Sequence, residues 1–225
     1  MIVNGRKKVI RKMAKLIPYS EYKEARERAY KIIKDVRSHS AIRKHFKFIC
    51  RPIGSQKRRC VVKDDRGKYD LDFQIVLTKN SKDGDSDPTA IKNAFFQAFT
   101  DCKNQNEKVE NSTTVVTVRC SKTSGKFDAS QEKFSFDFVI ISIDEERRIR
   151  RNGNNQYTWV QLPSRNTYIY ERFQQMDHIQ QRDLLENYLL PKIIKEKHKD
   201  PSVRRPTIDL FYQEVNNYYQ RRKMG

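Results

Sequence analysis

Long apolar runs are missing from these 225 residues. No stretch approaches the roughly 20 residues that a bilayer-spanning helix needs, so the sequence predicts no membrane partner. The opening MIVNGRKKVIRKMAKL is basic but has no continuous apolar segment and no small-residue cleavage site, which predicts no signal peptide. Cysteine is sparse: Cys50, Cys60, Cys102 and Cys120 show no CxxC spacing. That scarcity predicts a reduced, cytoplasmic protein with ordinary buried thiols. A zinc site made from His39, His45, Cys50 and Cys60 is conceivable, although the spacing matches no common ligand pattern. The phosphate loop GxxxxGK(S/T) is absent too, since TSGKF at 123–127 lacks its first glycine and its final hydroxyl. No internal repeat or low-complexity tract occurs.

Acidic residues are scarce where basic ones are dense. Residues 1–68 carry 22 Lys/Arg against 6 Asp/Glu, whereas residues 69–143 carry 9 against 11 and residues 144–225 carry 16 against 11. Most of the net charge of +19 therefore sits in the N-terminal third. A polyanion partner, RNA or DNA, follows from the release of condensed counterions on phosphate neutralisation. Aromatics at 11% argue against wholesale disorder despite 36% hydrophobic and 33% charged residues.

Ser20 can cap a helix reaching about Val36, with Tyr22, Ala25, Ala29, Ile32, Ile33 and Val36 as its apolar stripe. Lys23, Arg26, Lys34 and Arg37, together with Tyr30, recur on one flank of that helix and are the candidate nucleic-acid contacts. HFKFICRPI (45–53) predicts a strand entering a turn at Gly54, and KYDLDFQIVL (68–77) a second strand. NSKDGDSD (80–87) reads as loop, with Asp87 and Pro88 as N-cap and first residue of the next helix. TTVVTVRC (113–120) and KFSFDFVIISI (133–143) predict strands joined by a hairpin loop, and YTWVQLP a short extended piece. Helices are expected over about 168–198, interrupted at Pro191, and over about 207–221. The fold class is α+β: a mixed-sheet lobe with a long N-terminal helix over 1–145, then a small helical lobe over 146–225.

Asp70 and Asp72 lie two apart on one strand, so they share a face while Leu71, Phe73 and Ile75 point the other way. Asp137 stands between Phe136 and Phe138 in another core-like run. An isolated buried carboxylate costs several kcal/mol unless something pairs with it. Three carboxylates can share that cost by binding hard cations. The expected cofactors are therefore two Mg²⁺ (or Mn²⁺) ions, about 4 Å apart, held by Asp70, Asp72 and Asp137. Upstream, Gly54 permits close backbone approach, Ser55 offers a hydroxyl and an N–H, and Lys57, Arg58 and Arg59 add cations, which suits phosphate binding.

The set GSQK…YDLDFQIVL…FSFDFVII resembles the polymerase-β-type nucleotidyltransferase superfamily. The long N-terminal helix, the insertion before the aspartate pair and the apolar strand after it are most similar to the branch of oligoadenylate synthetases, cyclic GMP-AMP synthase and bacterial cyclic-oligonucleotide synthases. The resemblance covers about residues 46–143. It implies that Gly54 and Ser55, with Lys57 beside them, hold a nucleoside triphosphate. It also implies that Asp70 and Asp72 bind both metals, and that Asp137 completes the metal site and helps deprotonate the acceptor hydroxyl. Transfer of a nucleoside monophosphate with loss of pyrophosphate follows, giving an oligonucleotide signal; a role in antiviral defence is implied by the resemblance alone. Two features depart from the pattern: the Ser55–Asp70 gap is longer than usual, and only 82 residues follow Ile143, fewer than the helical lobe of that branch takes. The alternatives are an RNA (tRNA) 3′-end nucleotidyltransferase or toxin, and an inactive nucleic-acid-binding module on the same fold. Tyr157, Trp159, Tyr168 and Tyr170 are either base-stacking or core aromatics. Arg182, Lys192 and Lys195 either reach phosphate or form a solvated helix face. His178 and His198 receive no role.

Overall fold

A mixed sheet of seven strands carries the candidate site. A computed structural model describes residues 15–58, 60–64, 66–78, 87–123, 125–154, 156–162, 167–197, 203, 205 and 207–223. The expected loop at 80–86, Arg59 and His198 lie outside the described residues.

A short strand β1 (Lys15–Leu16) leads through Pro18 into α1 (Tyr19–Ser38) and the single turn α2 (Ser40–Arg43). Pro18, with φ −69°, stands at the N-cap without a side-chain bond, so Ser20 falls inside the first turn instead of capping it. The predicted stripe, Tyr22, Ala25, Ala29, Ile32, Ile33 and Val36, is buried throughout. The chain continues as β2 (Phe48–Pro52), the one-turn helix α3 (Gly54–Lys57), β3 (Val62–Lys63) and β4 (Tyr69–Leu77). Then come α4 (Pro88–Cys102), β5 (Glu107–Asn111), β6 (Val115–Ser121) and β7 (Glu132–Ile141). Asp87 caps α4 as expected, accepting from the amides of Thr89 at 3.0 Å and Ala90 at 3.2 Å.

The sheet order is β2-β4-β7-β6-β5, extended from β7 by β8 (Arg147–Arg151) and from β8 by β9 (Tyr157–Gln161). β4 and β7 are parallel; the other pairs are antiparallel. Strands β8 and β9 thus carry the sheet beyond residue 145. β6 and β7 form the predicted hairpin. The polar strands β5 and β8, EKVEN and RRIRR, carried no legible strand pattern.

Alternation divides the sheet into two chemistries. Leu71, Phe73 and Ile75 of β4, with Phe136, Phe138 and Ile140 of β7, face α1 and α4 and meet Phe95 and Phe99 in the main core. At the far edge Arg28 of α1 grips Glu107 of β5 bidentately, with both N–O distances 2.6 Å. The opposite face bears the aspartates and, further along, Val76, Val139 and Ile141.

Beyond the sheet a second cluster, including Phe173, Leu184, Leu189, Phe211 and Val215, joins the C-terminal helices. The expected interruption at Pro191 is corrected. The break falls at Met176–Asp177, between α5 (Thr167–Gln175) and α6 (His178–Asp183), where Asp177 caps α6 by accepting from the Gln180 amide at 2.8 Å. From α6 the chain runs without a break through a wide π-helical turn, Leu184–Leu189, into α7 (Leu190–Lys197). The widened turn, in which the Leu190 amide reaches back to the Leu185 carbonyl, accommodates a residue that has no N–H to give. Helix α8 (Thr207–Lys223) closes the described chain. No described helix is long and apolar enough to cross a membrane.

Candidate active site

The parallel pairing of β4 with β7 sets Asp72 directly opposite Asp137, and Asp70 opposite Ser135. All three aspartates stand on the face away from the phenylalanine core and line one cavity with Ser55, Arg58 and Cys60. None of them is locked in an arginine bridge among the described residues. Asp70 accepts from the Ser135 hydroxyl, and Asp137 accepts from the Thr117 hydroxyl at 2.7 Å.

Why glycine stands at position 54 follows from Asp72. Gly54 has φ +62°, and a Cβ built there would lie 2.1 Å from Asp72 Oδ2. Any side chain would therefore meet both backbone strain and a collision with the carboxylate. The Asp72 carbonyl fixes the same turn, accepting from the Ile53 amide at 2.9 Å and from Gln56 Nε2 at 2.6 Å. The Ser55 amide, nearby, favours the ionised form of the Asp72 carboxylate.

Burial, together with the neighbouring charges of Asp137 and Asp70, raises the pKa of Asp72 from the ordinary 3.8 to about 6; Arg58 and the Ser55 amide oppose the rise. Burial also raises Asp137, against the Thr117 hydrogen bond, with Asp70 adding to the rise. Three carboxylates repelling one another in a half-buried cleft form an oxygen-only donor set that suits a hard divalent cation. Among the described residues no three His, Cys, Asp or Glu side chains are drawn into a closed ion cage. The fit to a metal is thus one of donor chemistry and shared face, with an oxygen each of Asp70 and Asp137 engaged by a hydroxyl.

The other predicted residues are spread over several places. Lys57 turns away from the aspartates, its Nζ 4.9 Å from the Tyr170 ring centre, and lines a second cavity. Arg58 lines both cavities and lies 5.2 Å from the Phe211 ring centre, tying α3 to α8. On α1, Lys23 pairs with Glu27 at 3.8 Å, while Arg26 lies between the rings of Tyr19 and Tyr30, at 5.5 and 5.6 Å. Lys34 is exposed, and Arg37 donates to the Phe48 carbonyl at 3.4 Å. None of these four lines the aspartate cavity. Tyr157 and Trp159 belong to or pack on the main core, and Tyr168 lies against Arg172; Tyr170 borders the second cavity. Arg182 pairs with Glu186, and Lys192 with Glu214. Lys195 is exposed.

The zinc grouping is corrected: His39 pairs with Asp101, and no cluster of three or more His, Cys, Asp or Glu able to hold an ion forms among the described residues. All four cysteines are free thiols, and burial raises Cys60 and pushes Cys50 up to about 12, as suits inert interior groups. Sequence reasoning missed Thr117 and Ser135. Ser135 was legible in principle, two residues before Asp137 on the same strand face, whereas Thr117 needed the β6–β7 register.

No protein-family model and no curated protein matches the sequence. Solved structures do match. The CD-NTase CdnG of Bradyrhizobium diazoefficiens in complex with GTP aligns over 91% of this chain at TM-score 0.59 and 12% identity. CdnC of E. coli MS115-1 with ATP aligns over 92% at TM-score 0.51 and 13% identity. The cyclic AMP-GMP synthase DncV of Vibrio cholerae, in complex with a linear intermediate, aligns over 77% at TM-score 0.50 and 13% identity. The chain spans 66%, 63% and 47% of the lengths of these three structures. At such identities the likeness is one of architecture: this chain is built on the α+β nucleotidyltransferase fold of the bacterial CD-NTases.

Proposed function

We propose that the chain is a metal-dependent nucleotidyltransferase that moves a nucleoside monophosphate from an NTP to a hydroxyl, releases pyrophosphate and makes a short cyclic or linear oligonucleotide. One observation carries the reading: Asp72 lies opposite Asp137 on the face that also holds Asp70, against a glycine turn with no room for a side chain. Likeness of fold to proteins solved with GTP, ATP and a linear intermediate supports an NTP substrate.

Asp70, Asp72 and Asp137 would hold two Mg²⁺ or Mn²⁺ ions. Ions bound there would neutralise triphosphate charge and favour an attacking oxyanion. The chain's own groups do the rest. The Ser55 hydroxyl and the Arg58 guanidinium bind phosphate oxygens at the cavity wall. Asp137, with Oδ1 engaged by Thr117, takes the proton of the acceptor hydroxyl on its other oxygen. A bond forms from that hydroxyl oxygen to the α-phosphorus as the bond to the bridging oxygen breaks, and pyrophosphate leaves. Fixed positions and charges supply most of the rate.

The flank of α1 bearing Lys23, Arg26, Lys34 and Arg37 serves in this reading as a polyanion surface, for an activator or an acceptor. The excess of 22 cations over 6 anions in residues 1–68 also favours a second acceptor, an RNA 3′ end. The test is incubation with labelled ATP and GTP and Mg²⁺ or Mn²⁺, with and without double-stranded nucleic acid or tRNA, followed by product separation. Asp70→Ala and Asp72→Ala should abolish NTP consumption; variants as active as the parent would overturn the proposal. Labelled tRNA with unchanged dinucleotide pools would select the RNA acceptor.

A further inference from the structure

Gly54 is a wall shared by two cavities. It touches the Asp72 carboxylate, which lines one of them, and it lines the other, a cavity of about 390 Å³. That volume falls within the roughly 300–1,000 Å³ of small-molecule sites. Its floor is the sheet. Gln74 follows Asp72 by two residues and shares its face, and Arg51 is its partner across β2. Gln74 is only 7% exposed. Arg51 Nε donates to Gln74 Oε1 at 3.1 Å, and Arg51 is itself held by Glu145. With its oxygen committed, the amide of Gln74 is fixed as a donor, and its NH₂ has no partner among the described residues. The roof comes from α5 and α8, which bring Tyr170, Glu171, Gln174 and Tyr212. Among the described residues Glu171 has no ion-pair or hydrogen-bond partner. The cavity therefore offers a fixed donor below, a free carboxylate above and aromatic walls, one residue from the proposed phosphate contact Ser55.

We propose that this cavity takes the nucleobase and that Gln74 and Glu171 select guanine, making GTP the preferred nucleotide. The inference rests on the nucleotidyltransferase reading for its turnover arm, not for its binding arm. Guanine presents one acceptor, O6, beside two adjacent donors, N1–H and N2–H₂. The Gln74 amide donates to O6, and the Glu171 carboxylate accepts from N1–H and N2–H₂ together. Adenine turns its N1 lone pair toward that carboxylate and offers the Gln74 donor an amino group, so both contacts become repulsive. A pyrimidine has no pair of adjacent donors for the carboxylate and fills less of the space. At Gln74 a mismatched base leaves a buried amide unsatisfied, while the more exposed Glu171 carboxylate discriminates by its charge against the adenine N1 lone pair.

The test measures binding of fluorescent N-methylanthraniloyl GTP and ATP to the full chain, and in parallel turnover of an equimolar GTP–ATP mixture. GTP should bind at least tenfold more tightly than ATP. Glu171→Gln and Glu171→Ala, both at an exposed position, should each cost GTP at least tenfold while leaving ATP within about threefold. Gln74→Leu should also lose GTP affinity, with its fold checked by circular dichroism. Equal affinities in the parent, or a GTP:ATP ratio unmoved in both Glu171 variants, overturns the assignment, as does binding of neither nucleotide. Guanine-selective, Glu171-dependent binding without any turnover supports the cavity assignment and refutes the enzymatic reading, so the two failures are separable.

Discussion

Replacing Asp72 by asparagine should destroy activity and make the protein more stable. The folded state holds this carboxyl at about 6 against an ordinary 3.8, because it is buried beside Asp137 and Asp70. Folding therefore binds a proton more tightly, and the ionised group opposes folding. Below pH 3.8 both states are protonated and the penalty is absent; it grows as pH rises through the interval and is complete above about 6. At 1.36 kcal/mol for each pH unit, the displacement corresponds to about 3 kcal/mol. Solvent at the cavity mouth lowers the realised value to about 2 kcal/mol. Asparagine keeps the shape of the side chain and one oxygen but carries no charge, so Asp72→Asn should gain that amount at pH 8. For a chain of this size that is about 4–8 °C in melting temperature. The assay is urea and thermal unfolding in EDTA at pH 8 and pH 4.5, repeated with Mg²⁺ at pH 8. The gain should shrink to about a third of its pH 8 size at pH 4.5, and Mg²⁺ should stabilise the parent but not the variant. An asparagine variant no more stable than the parent at pH 8, or a gain of equal size at both pH values, would refute the reasoning.

Gly54→Ala should cost about 2–4 kcal/mol and nearly all activity, because positive φ and a 2.1 Å approach to Asp72 Oδ2 act together; urea titration and NTP consumption check it, and a stable, active alanine variant would contradict the close approach. Lys92 of α4 is fully buried, its Nζ has no hydrogen-bond partner among the described residues, and burial together with Arg151 lowers its pKa from 10.5 to about 7. Its penalty is complete below pH 7 and fades as pH rises towards 10.5, so Lys92→Met should add about 2–4 kcal/mol at pH 6 and far less at pH 10. Unfolding at those two pH values decides it, and a methionine variant weaker at pH 6 would show that the Tyr157 ring and the Asp137 charge offset the burial of the ammonium.

What the sequence revealed depended on how local the cause was. The α1 stripe and the Asp87–Pro88 start of α4 were legible because helical spacing and capping are decided within a few residues. The alternation in YDLDF and FSFDF separated carboxylates from core for the same reason. Strands β5 and β8 were not legible, since EKVEN and RRIRR are strands through their neighbours, Arg28 gripping Glu107 and Ile149 entering the core. Pro191 misled because a proline normally stops a helix, whereas here a wider preceding turn absorbs it. Within the site, Gly54, Ser55 and the aspartates stood out, but the turn of Lys57 towards Tyr170 did not. Side-chain direction on a single helical turn is set by what packs against it, in this case helices more than 100 residues downstream.

The double use of Asp72 has a mechanical consequence. Its carbonyl anchors the backbone of Ile53 and the side chain of Gln56, while its carboxylate fills the space that Gly54 leaves open. The short helix and the acid therefore travel together, like a latch and its striker cast in one piece. A change made to adjust the grip on one end of a bound molecule will displace the chemistry at the other, so tuning either alone requires a compensating change on β4.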